Sequence, residues 1–264
     1  MTTPFDLADR VAVVTGAGSG IGRATTILLA ELGVSVIATD IDLAGVQDTV
    51  AGLAGAVALE HDVTSEADWA SVFVHVIGAG GRLDILVNNA GVMLHAPFEA
   101  TPIDYLRRQY AINVESAFIG MQGALPLMKA SQVAHGARPS IINVSSIYGQ
   151  VVGASFSAYS ASKGAIKMLS KAVAAELAPA GIRVNSIHPG PTATNLGAKW
   201  DPPRDADGVL IPPEALNAAW ARLIPAGRLG EVGDIAPVIA FLASDAAGYI
   251  TGAEIVIDGG YTAI

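Results

Sequence analysis

The decisive stretch is Arg10-Val-Ala-Val-Val-Thr15, followed at once by Gly16-Ala-Gly-Ser-Gly20-Ile-Gly22. A short continuous apolar run is the pattern of a strand covered on both faces. The glycines stand where that strand turns into a helix, whose apolar positions run through Ile27, Leu28 and Leu32 to a stop signal at Gly33. Glycine tolerates positive φ and lets backbone N–H groups approach a pyrophosphate, which a helix N-terminus also attracts. The spacing is Gly-x-x-x-Gly-x-Gly, not the strict Gly-x-Gly-x-x-Gly fingerprint. Strand, turn and helix together predict a dinucleotide cradle at Gly16, Ser19, Gly20 and Ile21.

Outward from this unit the same alternation continues. Residues 34–39, 56–59, 83–87, 140–144, 183–187 and 254–257 read as strands. Between and after them, residues 42–53, 65–77, 102–111, 114–129, 159–178, 213–223 and 232–243 read as helices. Ser65-x-x-Asp68 opens one of them with a pattern like a capping box. Strands alternating with helices argue for an α/β fold, a parallel sheet with helices on both faces. No linker tract, charge block or repeat divides residues 1–264, so a single domain is expected. The long irregular region 192–225, rich in proline and holding Trp200 and Trp220, is read as a substrate-side lid.

Composition narrows the function classes. Hydrophobic residues make up 52% of the chain and charged ones 15%, enough for a large core. The balance of 15 basic against 24 acidic residues gives −9, which disfavours nucleic acid and anionic membrane as partners. The absence of cysteine excludes disulfides and a thiolate zinc site. No signal-peptide pattern and no apolar run of spanning length is present, so a soluble cytoplasmic protein is expected.

Several polar positions then invite chemistry. Asp40 ends the second strand, where a carboxylate accepts hydrogen bonds from ribose hydroxyls and repels a 2′-phosphate. Neither Ile41 nor Ser19 offers a cation to that phosphate, so NAD(H) is expected over NADP(H). Asp42 suits a helix N-cap better than Asp40 does. Asp62 and Val63 follow the third strand; they either flank an adenine or, for Asp62, satisfy turn backbone. Asn89, Ala90 and Gly91 lie past the fourth strand, on the carboxyl edge where open α/β sheets bind ligands. Tyr159 and Lys163 stand four apart, on one helix face. An ammonium near a phenol favours the phenolate, so a lowered tyrosine pKa is expected, as carbonyl/alcohol redox chemistry requires. Ser146 is placed to hold the same oxygen from a strand end.

Taken together, Thr15-Gly16-Ala-Gly-Ser-Gly20-Ile-Gly22, Asn88-Asn89-Ala90-Gly91, Asn113, Ser146, Tyr159-Ser-Ala-Ser-Lys163 and His188-Pro189-Gly190 with Thr192 and Thr194 resemble the short-chain dehydrogenase/reductase family in order and spacing. The resemblance runs from about residue 7 to the C-terminus. It implies one Rossmann-type doubly wound domain with a seven-stranded parallel sheet in the order 3-2-1-4-5-6-7. It implies Tyr159 as general acid/base, and Lys163 as ligand of the nicotinamide ribose and modulator of the tyrosine. Ser146, rather than its neighbour Ser145, aligns with the serine that hydrogen-bonds the substrate oxygen. Asn113 aligns with the asparagine of a proton relay; without the resemblance it reads as a helix N-cap before Val114. By the same resemblance the loop after Pro189-Gly190 helps to place the nicotinamide, and Ile187, Thr192 and Thr194 match positions whose backbone or hydroxyl meets the carboxamide or pyrophosphate. A homotetramer is implied too, through the helices after strands four and five and the C-terminal segment. That segment resembles bacterial secondary alcohol dehydrogenases and ketone reductases. Some of those hold magnesium there, but no local carboxylate cluster compels a metal site here.

By position, Met93, His95, Ile147, Tyr148, Val152, Phe156, Leu196 and Trp200 are expected to line the substrate pocket. The set is mostly apolar and lacks a cation for a carboxylate or phosphoryl group. It points to a hydrophobic secondary alcohol or its ketone. His95 is either a hydrogen-bond partner of substrate or a surface loop residue. The alternatives are a 3-oxoacyl thioester reductase, disfavoured by Asp40 and the lack of a basic patch, and a non-catalytic NAD-binding regulator, disfavoured by the intact Ser-Tyr-Lys set.

Overall fold

The structure is a computed structural model that describes residues 5–136, 138–194, 196 and 209–264. Seven strands form one sheet: β1 (Val11–Thr15), β2 (Ser35–Asp40), β3 (Ala56–Glu60), β4 (Ile85–Asn88), β5 (Ser140–Val144), β6 (Arg183–Pro189) and β7 (Glu254–Ile257). All pairings are parallel, in the order β3-β2-β1-β4-β5-β6-β7. The helices are α1 (Gly20–Glu31), α2 (Leu43–Val50), α3 (Glu66–Gly78), α4 (Ile103–Tyr110), α5 (Ser116–His135), α6 (Ser157–Leu177), α7 (Pro213–Leu223) and α8 (Val232–Ala243).

Two cores explain why the strands read as continuous apolar runs. Successive strand residues face opposite sides. Ala12, Val14, Val36 and Ile142 pack with Leu29 of α1 and Ile235 and Ile239 of α8. Val13, Ile37, Leu86 and Ile141 pack with Trp69 and Val72 of α3 and Met121 and Met128 of α5. Burying each such large side chain contributes roughly 1.5–3 kcal/mol. Trp69 is also fixed by its indole N–H, which donates to the Val63 carbonyl at 2.9 Å.

Several boundaries differ from the sequence reading. β4 runs one residue further, to Asn88, and β6 runs on through His188 to Pro189. The helices expected at 102–111 and 114–129 join through a π-helical turn, Ala111–Glu115, and the second extends to His135. Asn113 is therefore inside a continuous helical path and not at an N-cap. Asp42 does cap α2, accepting the Gly45 N–H at 3.1 Å, and Ser65 caps α3 through the Asp68 N–H at 3.1 Å. Because every strand is parallel, Thr15, Asp40, Asn88, Val144 and Pro189 all end at one edge of the sheet. The order reverses direction between β1 and β4, which opens a crevice there. Among the described residues no helix is long and apolar enough to cross a membrane.

Candidate active site

Thr15, at the end of β1, had no role assigned from the sequence, yet it joins the two halves of the crevice. Its hydroxyl donates to the Val87 carbonyl at 3.4 Å and accepts the N–H groups of Asn89 and Ala90, each at 3.0 Å. The Asn89 amide returns the tie, donating to the carbonyls of Thr15 at 2.9 Å and Gly16 at 3.1 Å. A Cβ on Gly22 would lie 2.1 Å from the Gly16 carbonyl oxygen and 2.5 Å from the Asn89 amide nitrogen. Glycine is required there for this close approach, and Gly16 adopts a φ of 66°.

The loop presents an open helix end. Ser19 makes no side-chain cap on α1, and the first turn carries no acidic residue. The first N–H groups of a helix have no intrahelical partner, so this end suits an anion such as a pyrophosphate. Thr194 comes to the same loop, its Cβ 3.5 Å from where a Gly20 Cβ would stand. Asp40 accepts the Gly18 N–H at 2.8 Å on one carboxylate oxygen and the Asp42 N–H at 3.0 Å on the other. Each oxygen keeps acceptor capacity for a hydroxyl. Arg23 is turned inward, donating to Gly18 and Gly45 carbonyls and to Thr49. Asp62 accepts both the N–H and the hydroxyl of Thr64, at 2.9 and 2.7 Å, which is its turn-satisfying role. Val63 is buried beside it. These residues fit a dinucleotide along the crevice.

Across the crevice, β5 delivers the two serines and α6 the tyrosine and lysine. Ser145 is used internally: its hydroxyl donates to the Lys163 carbonyl at 2.8 Å. Ser146 accepts the Tyr148 N–H at 3.1 Å, and its side chain is hydrogen-bonded to that of Tyr159. The geometry therefore favours Ser146 over Ser145 as the group that meets a substrate oxygen. Lys163 donates to the Val144 carbonyl at 2.9 Å, and its ammonium lies 5.7 Å from the centre of the Tyr159 ring. Asn113 accepts the Val92 N–H at 2.8 Å and donates to the Val92 carbonyl and the Ser162 hydroxyl, both at 3.0 Å. Ser162 is a partner the sequence reading passed over, although it lies within the Tyr159–Lys163 motif. A Cβ on Gly91 would press on both Asn113 Oδ1, at 3.2 Å, and Lys163 Nζ, at 3.4 Å. Pro189 and Gly190 continue the same edge, with the Gly190 carbonyl accepting the Thr192 hydroxyl at 2.9 Å.

The charge states correct one expectation. Burial pushes the Tyr159 phenol up to about 12, because a phenolate loses its hydration there; the Ser146 hydrogen bond pulls the other way but less strongly. Burial also pushes the Lys163 ammonium down to about 8. Proximity on a helix face suggested a lowered phenol pKa. In the folded chain desolvation sets the sign of the shift.

On the substrate side, Tyr148 packs on Phe156 with ring centres 5.0 Å apart and meets Tyr159 edge-on at 6.3 Å. His95 stacks on Phe156 at 5.2 Å. Met93 is half-buried and Ile147 buried. Val152, in the loop before α6, is 83% exposed. Leu196 is exposed, and Trp200 lies outside the described residues.

Comparison with known proteins agrees with this layout. A family model described as enoyl-(acyl carrier protein) reductase matches residues 16–262. The cyclopentanol dehydrogenase of Comamonas sp. (strain NCIMB 9872) is 36% identical over 260 residues, covering 97% of this chain and 98% of that protein. The cis-4-hydroxycyclohexanecarboxylate dehydrogenase of Sinomonas cyclohexanicum is 40% identical over 262 residues, covering 97% and 98%. Among solved structures, 3-ketoacyl-(acyl-carrier-protein) reductase from Brucella melitensis complexed with NADH is 31% identical, with a TM-score of 0.86 and coverage of 97% and 99%. With the sheet order, the glycine turn and the Ser146–Tyr159–Lys163 cluster in place, these relationships are decisive: the chain is an oxidoreductase of the short-chain dehydrogenase/reductase family.

Proposed function

We propose that the chain is an NAD(H)-dependent dehydrogenase that interconverts a hydrophobic secondary alcohol, alicyclic in type, and its ketone. The observation that carries the reading is the convergence of Ser146, Tyr159 and Lys163 at the carboxyl end of β5, facing the open end of α1 across the crevice. NAD(H), when bound, would supply the redox chemistry as acceptor or donor of a hydride. Gly16, Ser19, Gly20, Ile21, Asp40, Asn89, Ala90, Gly91, Thr192 and Thr194 are the residues that would hold it.

The rest of the chemistry belongs to the chain. In oxidation Tyr159 first gives up its own proton to solvent and then, as phenolate, takes the hydroxyl proton of the alcohol; in reduction the phenol gives its proton to the ketone oxygen. Ser146, whose hydroxyl oxygen takes the Tyr148 N–H, would turn its own O–H to the substrate oxygen and steady developing negative charge there. Lys163, charged below about pH 8, adds a positive potential beside the phenol. Asn113 fixes the loop at Val92 over this site. Asp40 supports NAD over NADP, since a 2′-phosphate would meet a carboxylate whose neighbouring cation, Arg23, is committed elsewhere.

The aromatic wall of Tyr148, Phe156 and His95 supports a neutral, apolar substrate. The Comamonas relative, a cyclopentanol dehydrogenase, points the same way. The Brucella relative supports a second reading, a 3-oxoacyl thioester reductase. We place the chain in a homotetramer as a single domain; of the lid expected at 192–225, residues 195 and 197–208 lie outside the described residues, and exposed Phe118 on α5 and Met168 on α6 support the assembly. The test follows reduced-cofactor absorbance with cyclopentanol, cyclohexanol, their ketones and an acetoacetyl thioester, each with NAD(H) and NADP(H). NAD-dependent turnover of the cyclic alcohols is expected. Turnover confined to the thioester with NADPH would select the second reading, and silence despite NADH binding would indicate a non-catalytic regulator.

A further inference from the structure

His188 is fully buried in β6, and both ring nitrogens are engaged. Nδ1 lies 3.0 Å from the backbone carbonyl of Ser146, and Nε2 lies 2.9 Å from the Ser186 hydroxyl. The ladder between β5 and β6 explains why a side chain is needed there. The last rung runs from the Ser145 N–H to the Ile187 carbonyl at 2.8 Å. In a parallel ladder the next donor on β6 would be residue 189, and Pro189 has no N–H. The backbone pairing of β5 therefore stops just as the chain turns outward through Ser146, whose φ of −166° and ψ of 160° are still extended. The imidazole of His188 crosses that gap and ties the Ser146 carbonyl to β6.

We propose that His188 is a positioning residue: its Nδ1–H holds the Ser146 backbone and so sets the direction from which the Ser146 hydroxyl meets the substrate oxygen. A carbonyl only accepts, so Nδ1 must carry a hydrogen, and the neutral ring must be the Nδ1–H tautomer with Nε2 accepting from Ser186. Burial lowers the His188 pKa, which favours that neutral ring against the opposing pull of the Ser146 carbonyl and the smaller one of Glu254; Lys167 and Lys163 add to the lowering. The kinetic part of the inference rests on Ser146 acting in the proposed reaction. The tautomer does not.

The test therefore has two arms. In ¹⁵N-histidine NMR of the full chain near pH 7, the signals lost in His188→Asn are expected to show the Nδ1–H tautomer; an Nε2–H tautomer would overturn the inference whether or not the protein turns over cyclic alcohols. In kinetics, His188→Leu is expected to lower kcat about tenfold, since small misplacement of a reacting group is costly, while NADH affinity stays within about twofold. His188→Asn places an amide donor close to the Nδ1 position and is expected to restore most of kcat. Unchanged kcat in His188→Leu, or equal loss in both variants, would refute the positioning role. If His188→Leu does not fold, the Asn variant and the tautomer still decide. Absence of turnover in the unaltered chain would remove the proposed reaction and leave the NMR result to stand or fall alone.

Discussion

Burial acts on Tyr159 and Lys163 in opposite directions, raising the phenol to about 12 and lowering the ammonium to about 8. Both shifts disfavour charge, so the tyrosine rests protonated. Tyr159→Phe keeps the ring packing and removes the proton carrier. Turnover is expected to fall by roughly 10²–10⁴, the usual span for general acid–base catalysis, with NADH binding by fluorescence unchanged. Retained turnover would remove Tyr159 from the mechanism. His61 shows the same physics away from the site. It is buried edge-on against Trp69 at 4.4 Å, and burial lowers its pKa from 6.5 to about 4. As pH falls through 6.5 the unfolded chain takes up a proton that the folded chain refuses until about pH 4, so stability is lost across that window. His61→Asn is expected to shrink that loss by about 3 kcal/mol, from about 1.4 kcal/mol per pKa unit, in urea melts compared at pH 7 and 4. An equal loss in both proteins would clear His61 of the effect.

At the level of elements, the π-helical turn Ala111–Glu115 aims Asn113 at Val92 and Ser162, joining the loop after β4 to α6. Asn113→Ala leaves the Val92 N–H and carbonyl without their partner, at a cost of about 1–3 kcal/mol each way the group stays dry. A lowered thermal midpoint and faster hydrogen exchange at the Val92 amide are expected; unchanged exchange would show the turn is held by other contacts. The strands were legible because a two-sided parallel sheet demands uninterrupted apolar runs, as in Val11–Val14 and Ile141–Ile142. The π turn was not, since an extra residue per turn leaves no periodic mark in five residues and is fixed by what Asn113 reaches. Asn113 was identified through family resemblance alone. Tyr159 and Lys163 were legible as a pair, but the sign of the tyrosine shift depends on how deeply α6 sinks, which spacing does not carry. Thr15 and Ser162 belonged to quoted motifs, yet their bonds span 72 and 49 residues of chain and are invisible to local pattern.

For the whole molecule, the proposed tetramer covers the faces of α5 and α6 that expose Phe118 and Met168. Phe118→Glu with Met168→Glu is expected to lower the mass seen by light scattering from four chains toward two or one, because buried like charges oppose association. A single-chain mass for the unaltered protein would refute the assembly. The Thr15–Asn89 clasp carries a different consequence, for the order in which the molecule matures. Its partners come from β1 and from the segment after β4, so the glycine turn cannot be closed by the first three strands alone. Residues 1–60 contain the turn, but the groups that lock it arrive with residues 87–90. A refolding chain should thus gain its secondary structure before its affinity for NADH, with cofactor fluorescence lagging behind circular dichroism in stopped flow. Affinity that rose together with the earliest helical signal would mean the turn closes without its clasp.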